Sequence, residues 1–247
     1  MERELPEIKI EGTTFKFDID CIVLIDKDNP SNEITFEHMR DEGTHYAFEY
    51  SAIHKNYHSR NAQSFPELLR NLQSDTPGVA NPPITVEIPR IGKIDPEGMC
   101  RKYGCSLQDI NQKSDFEIMV NQDIYSRRLN REPVTIDLAG KIYEVDTKNN
   151  SLRPQDGTGN DIFLNDFYHD YYNDDAQVYL LFYDIRENKV VDVMRDGSRE
   201  KTENRIILEV PHLYTLDPIG ANREFGYNPE HGLMYGNLKM NHIAKPV

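Results

Sequence analysis

The residues richest in chemical possibility lie between Asp161 and Asp175. There Asp161, Asp166, Asp170, Asp174 and Asp175 alternate with Phe163, Phe167, Tyr168, Tyr171 and Tyr172 around a single His169. Carboxylates and an imidazole at this density suit a metal ion or a basic peptide. The tyrosines beside them add amphipathic contact area, each an apolar ring with a polar tip. Tyr168, His169, Asp170, Tyr171, Tyr172, Asp174 and Asp175 are therefore the candidate partner-binding set. The plainer reading is an exposed acidic loop whose rings cover the end of a sheet. A metal-assisted catalytic site in the same segment is the enzymatic alternative.

Other groupings reach less far. Asp26 and Asp28 have the first spacing of an EF-hand, but the sixth position is Ser31 rather than Gly and Pro30 takes a ligand's place. His54 and His58 stand four apart, which would put them on one helix face for zinc, yet Asn56, Tyr57 and Ser59 around them describe a loop. Cys100 and Cys105 are only two thiols, spaced unlike a zinc knuckle, and read as buried or half-buried free thiols. Arg101 and Arg223 each serve as an anion contact or a structural ion pair, with the structural role favoured. Nothing resembles a phosphate loop, a dinucleotide fingerprint, a Gly-x-Ser-x-Gly elbow or a kinase set. No catalytic residue, metal or cofactor is assigned.

The elements that must position these residues come in two sets, because the sequence resembles itself. Ile8-Lys9-Ile10-Glu11-Gly12 lies over Ile136-Asp137-Leu138-Ala139-Gly140, with Gly12 and Gly140 128 positions apart. At that offset Phe15 meets Tyr143, Leu24 meets Leu152, Asp28 meets Asp156 and Ile34 meets Ile162. Tyr46–Tyr50 then lies over Tyr179–Tyr183. Val86-Glu87-Ile88-Pro89 lies over Leu208-Glu209-Val210-Pro211, Asp95-Pro96-Glu97-Gly98 over Asp217-Pro218-Ile219-Gly220, and Phe116–Ile118 over Leu238–Met240. The reading is a tandem duplication of one domain: copy one over 1–121 with a long loop at about 56–83, a helical connector over 122–130, and copy two over 131–247.

Each copy is expected to be α+β, mainly antiparallel sheet with short helices. Ile8, Ile10, Phe15 and Phe17 alternate with polar residues, the period of a strand with one buried face, and Gly12-Thr13 reads as the turn between two such strands. Further strands are expected at Cys21–Ile25, Tyr46–Tyr50, Ile84–Pro89 and Asp115–Val120, and in copy two at Val178–Tyr183, Ile206–Val210 and Asn237–Ile243. Asp95 and Asp217 read as N-caps, followed by a proline suited to the first helical turn, with Gly104 and Gly226 closing the helices. Helices are also expected over Gln122–Leu129 and from Ser64 to about Leu72, the latter from a Ser64/Glu67 capping box.

Composition bounds the function. The 247 residues carry a formal charge of −14 and no Trp. That surface repels phosphate backbones and anionic lipid heads, which argues against direct nucleic-acid or membrane binding and leaves a protein partner as the expectation. Three cysteines cannot all pair internally, no basic start leads into an apolar run, and no stretch approaches the roughly 20 apolar residues of a membrane helix. A reducing, cytoplasmic setting is expected. The leading reading is a non-enzymatic protein-binding or scaffold protein. Its rivals are the metal-assisted enzyme and an acidic inhibitor that mimics nucleic acid.

Overall fold

Alternating apolar residues near the N-terminus give a hairpin of β1 (Glu7–Ile10) and β2 (Thr13–Asp18), paired antiparallel from Glu7↔Lys16 to Ile10↔Thr13. The computed structural model describes residues 3–58, 82–194 and 204–247, so the expected Ser64–Leu72 helix lies outside the described residues. The turn is Glu11-Gly12, both at positive φ, and Thr13 already belongs to β2 as a buried residue. This corrects the expected Gly12-Thr13 turn: two left-handed residues match the twist of the flanking strands. The chain divides into two compact units, Met1–Met119 and Val120–Val247, each described by itself.

In unit one, β3 (Val23–Asp26) and β4 (Glu33–Thr35) extend the hairpin into the antiparallel order β1-β2-β3-β4. Phe15, Phe17, Leu24, Ile34 and Phe36 are fully buried. A second sheet follows: β5 (Arg40–Asp41), β6 (His45–Ser51), β7 (Asn56–Tyr57) and β8 (Ile84–Pro89), with β6 pairing all three others antiparallel. Among the described residues four short α-helices follow in the unit: α1 (Ile91–Ile94), α2 (Pro96–Tyr103), α3 (Leu107–Gln112) and α4 (Asp115–Met119).

The strand expected at Asp115–Val120 is instead α4. Ser114 and Glu117 close a capping box, Ser114 N–H and Oγ each donating to the Glu117 carboxylate while Glu117 N–H donates to Ser114 Oγ. The Asp115 carboxylate is buried and accepts from the N–H groups of Ile91 (2.7 Å) and Gly92 (3.1 Å) and from the Tyr46 hydroxyl (3.0 Å). Those bonds tie α4 to the start of α1, and local capping outweighs an apolar alternation only a few residues long.

Unit two opens on α5 (Gln122–Leu129), in the span expected from the sequence. Then come β9 (Thr135–Leu138), β10 (Lys141–Asp146), β11 (Ser151–Pro154) and β12 (Ile162–Phe163), and a short 3-10 turn at Leu164–Phe167 leading into α6 (Tyr168–Tyr171). The second sheet holds β13 (Tyr172–Asn173), β14 (Val178–Asp184), β15 (Lys189–Val190) and β16 (Arg205–Pro211). Helices α7 (Leu213–Leu216) and α8 (Pro218–Glu224) follow, and the chain closes with β17 (Asn241–Ile243) and β18 (Lys245–Pro246). The strand expected over Asn237–Ile243 is thus cut to three residues. β17 pairs in parallel with β9, and β18 pairs antiparallel with β16. The proposed match of Phe116–Ile118 to Leu238–Met240 sets a helix against irregular chain. The core packs Ile136, Leu138, Leu152, Leu164, Tyr183, Val210 and Leu216, all fully buried. The fold class is mixed α+β with mostly antiparallel sheet and short helices.

The Asp-Pro helix starts are built as the sequence implies, with one addition. Asp95 accepts from Gly98 N–H and Asp217 from Gly220 N–H, both at 2.9 Å. Each carboxylate is buried and also paired with an arginine: Asp95 with Arg3, and Asp217 with Arg128 through Nε (2.8 Å) and Nη2 (2.6 Å). Gly98 and Gly220 are needed for room. A Cβ on Gly220 would lie 2.7 Å from Asp217 Cγ, well inside the roughly 3.5–4.0 Å of carbon–carbon contact. Gly104, at φ 67°, caps α2, whereas α8 caps on Phe225 and Gly226 takes the positive φ one residue later.

Candidate functional site

The sequence-derived partner set is only partly a surface. Tyr168, His169, Asp170, Asp174 and Asp175 are exposed and Tyr172 is half-buried. Tyr171 belongs to the core instead: its ring packs at 5.8 Å from Phe167 and 6.1 Å from Phe182, and its hydroxyl donates to Asp192 (2.9 Å) and accepts from Met194 N–H (3.1 Å). The reason is helical geometry, since consecutive positions of α6 point to different sides and Tyr171 takes the inward one. The acids of the 161–175 segment do not converge, and among the described residues no three His, Cys, Asp or Glu side chains could hold a metal ion.

Tyr168 and Tyr172 do meet, stacked at 5.0 Å with ring planes 22° apart, and they begin a longer row. Tyr172 lies 4.8 Å from Tyr179 and 5.7 Å from His212. His212 stacks on Tyr214 at 5.1 Å (11°), Tyr214 on Phe225 at 5.2 Å (22°), and Phe225 on Tyr227 at 6.4 Å (28°). Tyr227 then meets His231 at 5.3 Å. Nearly parallel rings in contact are about 3.5–4 Å apart face to face, so centroids 5.1–5.2 Å apart mean each ring is slipped by roughly 3.5 Å. The result is a staircase in which the outer rings keep part of their faces uncovered, while Tyr179 is buried beneath them. Tyr168, Tyr214, Phe225 and Tyr227 are 45, 43, 59 and 55 % exposed.

The strand register assembles this row from distant sequence. β14 and β16 pair Tyr179↔Val210 and Val178↔Pro211, and His212 N–H donates to the Gln177 carbonyl (3.1 Å), which carries His212 past the sheet end to the Tyr179 ring. α7 and α8 then place Tyr214 and Phe225 in sequence. Sequence reading missed Tyr179, His212, Tyr214, Phe225, Tyr227 and His231. The signal present was the recurrence of rings in His212-Leu213-Tyr214 and Phe225-Gly226-Tyr227, but neither pair has helix or strand periodicity pointing to the 168–172 cluster.

Burial shifts the titration of Tyr172, Tyr179, Tyr214 and His212. It pushes Tyr179 up to about 12, with Tyr172 and Tyr168 adding to the shift, and it raises Tyr172 (helped by Asp174) and Tyr214 (helped by Tyr227). These phenols stay neutral at physiological pH. Burial lowers His212 below its usual value, so that imidazole is uncharged as well. Asp170, Asp174, Asp175, Glu224 and Glu230, neighbours of these rings in the sequence, are exposed acids.

The remaining candidates are occupied by structure. Asp26 is buried and accepts from Asp28 N–H (2.9 Å), with Lys55 Nζ 4.0 Å away, so its oxygens hold the loop together. His54 and His58 lie in and after the β6–β7 turn, not on a helix. Arg101 meets Asp20 at 3.5 Å on the surface, while Arg223 donates to the Arg128 and Leu129 carbonyls at the end of α5. Cys100 and Cys105 are free thiols with sulfurs 3.5 Å apart. No helix among the described residues is long and apolar enough to cross a membrane. Comparison with protein-family models, curated proteins and solved structures yields no match to the chain.

Proposed function

We propose that this chain is a non-enzymatic binding protein built from two diverged copies of one domain, and that the aromatic row of unit two is its contact surface for a basic segment of a protein partner. The observation that carries the reading is the staircase of stacked, half-exposed rings. Soluble proteins seldom leave large contiguous apolar area uncovered without a use for it. Rigid tyrosines bury much area on binding at little conformational cost. The acids that neighbour these rings in the sequence and the chain's charge of −14 favour a cationic occupant, whose lysine or arginine heads gain from both carboxylates and ring faces.

Matching registers support the duplication. Ile8↔Phe15, Phe15↔Asp26 and Leu24↔Ile34 in unit one correspond to Ile136↔Tyr143, Tyr143↔Pro154 and Leu152↔Ile162 in unit two, each at the 128-residue offset. Tyr46↔Ile88 and Tyr50↔Tyr57 likewise correspond to Tyr179↔Val210 and Tyr183↔Val190. A buried aspartate paired with an arginine opens the main helix in both units. Under this alignment His212, Tyr214 and Tyr227 stand where unit one has Arg90, Gly92 and Cys105, so the row belongs to unit two alone. Retention of the scaffold with divergence of its surface fits a role in recognition.

The test is retention of proteins from the native host on the full chain and on a Tyr214→Ser, Phe225→Ser, Tyr227→Ser variant. The expected result is a partner with a basic contact segment, held by the parent chain and weakened at least about 30-fold by the variant, the loss of one interface anchor of about 2 kcal/mol. Equal retention by both chains overturns the reading.

A further inference from the structure

We propose that Cys100 and Cys105 form a thiol–disulfide exchange site, whose substrate is a low-molecular-weight disulfide of the glutathione type and whose product is an intramolecular Cys100–Cys105 disulfide. The two residues straddle the end of α2. Cys100 sits in its body and Cys105 lies just past Gly104, whose left-handed conformation turns the chain back so that Gly104 N–H donates to the Cys100 carbonyl at 2.9 Å. That reversal brings the sulfurs to 3.5 Å, and a disulfide needs about 2.05 Å, so the two are already neighbours in the dithiol.

The sulfurs are not equivalent. The Cys105 thiol donates to the Cys100 sulfur, a bond that supports negative charge on Cys100, and burial together with that bond pushes the Cys105 thiol up to about 11. Cys100 is therefore the attacking sulfur and Cys105 the resolving one. Cys100, having given its proton to solvent, attacks one sulfur of the small disulfide and expels the other half as a thiolate. Cys105 then loses its proton to solvent and attacks the Cys100 sulfur of the mixed disulfide, expelling the second half. Two electrons pass from the protein to the small disulfide, which leaves as two thiols. Both residues are half-buried, while the exposed Cys21 has no described thiol beside it and serves as an internal reference.

Closure pins the end of α2 to the start of α3, where Ser106 and Asp109 form the capping box. The α2–α3 junction, held in the dithiol by the Gly104 cap and the capping box, becomes covalently closed. Under the proposed alignment unit two has Asn222 and Tyr227 at these places, so the site is confined to unit one.

The experiment treats the full chain with oxidised glutathione, quenches with acid, alkylates, and maps adducts by peptide mass spectrometry. The expected result is a Cys100–Cys105 cross-link, two alkylation sites lost together, and glutathione adducts only at Cys21. Cys105→Ser should trap the mixed disulfide at Cys100, raising that adduct at least tenfold over the parent chain; the parent chain's own mapping needs no variant and stands if Cys105→Ser fails to fold. Independent alkylation of Cys100 and Cys105 after treatment overturns the proposal. So does a persistent adduct on either residue of the parent chain.

Discussion

Replacing Gly220 by alanine isolates the buried ion pair from ordinary helix energetics, because the two make opposite predictions. Gly220 lies early in α8 without a positive φ, so helix propensity alone would have alanine stabilise the protein by up to about 1 kcal/mol. The new Cβ, however, would stand 2.7 Å from Asp217 Cγ and 2.9 Å from Thr147 Oγ1. The Asp217 carboxylate cannot retreat freely: it is fully buried, held by Arg128 at 2.8 and 2.6 Å and by the Gly220 N–H at 2.9 Å. Moving it forfeits an N-cap worth about 1 kcal/mol and breaks a buried ion pair, which costs about 3–5 kcal/mol when one partner is left uncompensated. The expected outcome is a net loss of about 3–5 kcal/mol in urea unfolding followed by circular dichroism and tyrosine emission. In an Asp217→Ala background the carboxylate obstacle is gone, only the Thr147 hydroxyl remains to shift, and the same Gly220→Ala change should cost less than about 1 kcal/mol. A neutral or stabilising Gly220→Ala in the parent chain would refute the reasoning.

Two further outcomes follow from other parts of the molecule. Burial lowers His212 and His242 below 6.5, so the unfolded chain binds protons that the folded chain refuses. Stability is then full above about pH 6.5 and declines as pH falls below it, and urea midpoints between pH 7.5 and 5 should flatten in a His212→Gln, His242→Gln variant. Asp115→Ala should cost about 3 kcal/mol or more, because it strands the N–H groups of Ile91 and Gly92 in the interior and removes the carboxylate that accepts from the Tyr46 hydroxyl; amide exchange at Ile91 and Gly92 reads this directly, and unchanged protection would contradict it.

Much of the secondary structure is legible wherever period and capping agree. Phe15 and Phe17 alternate into a buried face, Asp95-Pro96 and Asp217-Pro218 open helices, and Gln122–Leu129 is helical over its whole expected span. The reading fails at 115–120, where Phe116 and Ile118 suggest a strand but Ser114 and Glu117 form a capping box that starts a helix. It fails again at Tyr171, where composition puts a ring on the surface and α6 turns it into the core. The candidate site was half legible for a physical reason. Tyr168, His169 and Tyr172 are neighbours in sequence, while His212, Tyr214, Phe225 and Tyr227 join them only through the β14–β16 register and the path of α7 and α8. The same limit explains Arg128, whose partner Asp217 lies 89 residues away.

The central claim, that the aromatic row of unit two is a contact surface for a basic protein segment, is tested most directly by photocrosslinking in the native host. A photoreactive phenylalanine analogue replaces Phe225 in one chain and the equally exposed Leu107 of unit one in another. The account predicts a discrete cross-linked protein from position 225, attached through a lysine- or arginine-rich peptide, and none from position 107. The same products from both positions, or none from 225, would contradict it.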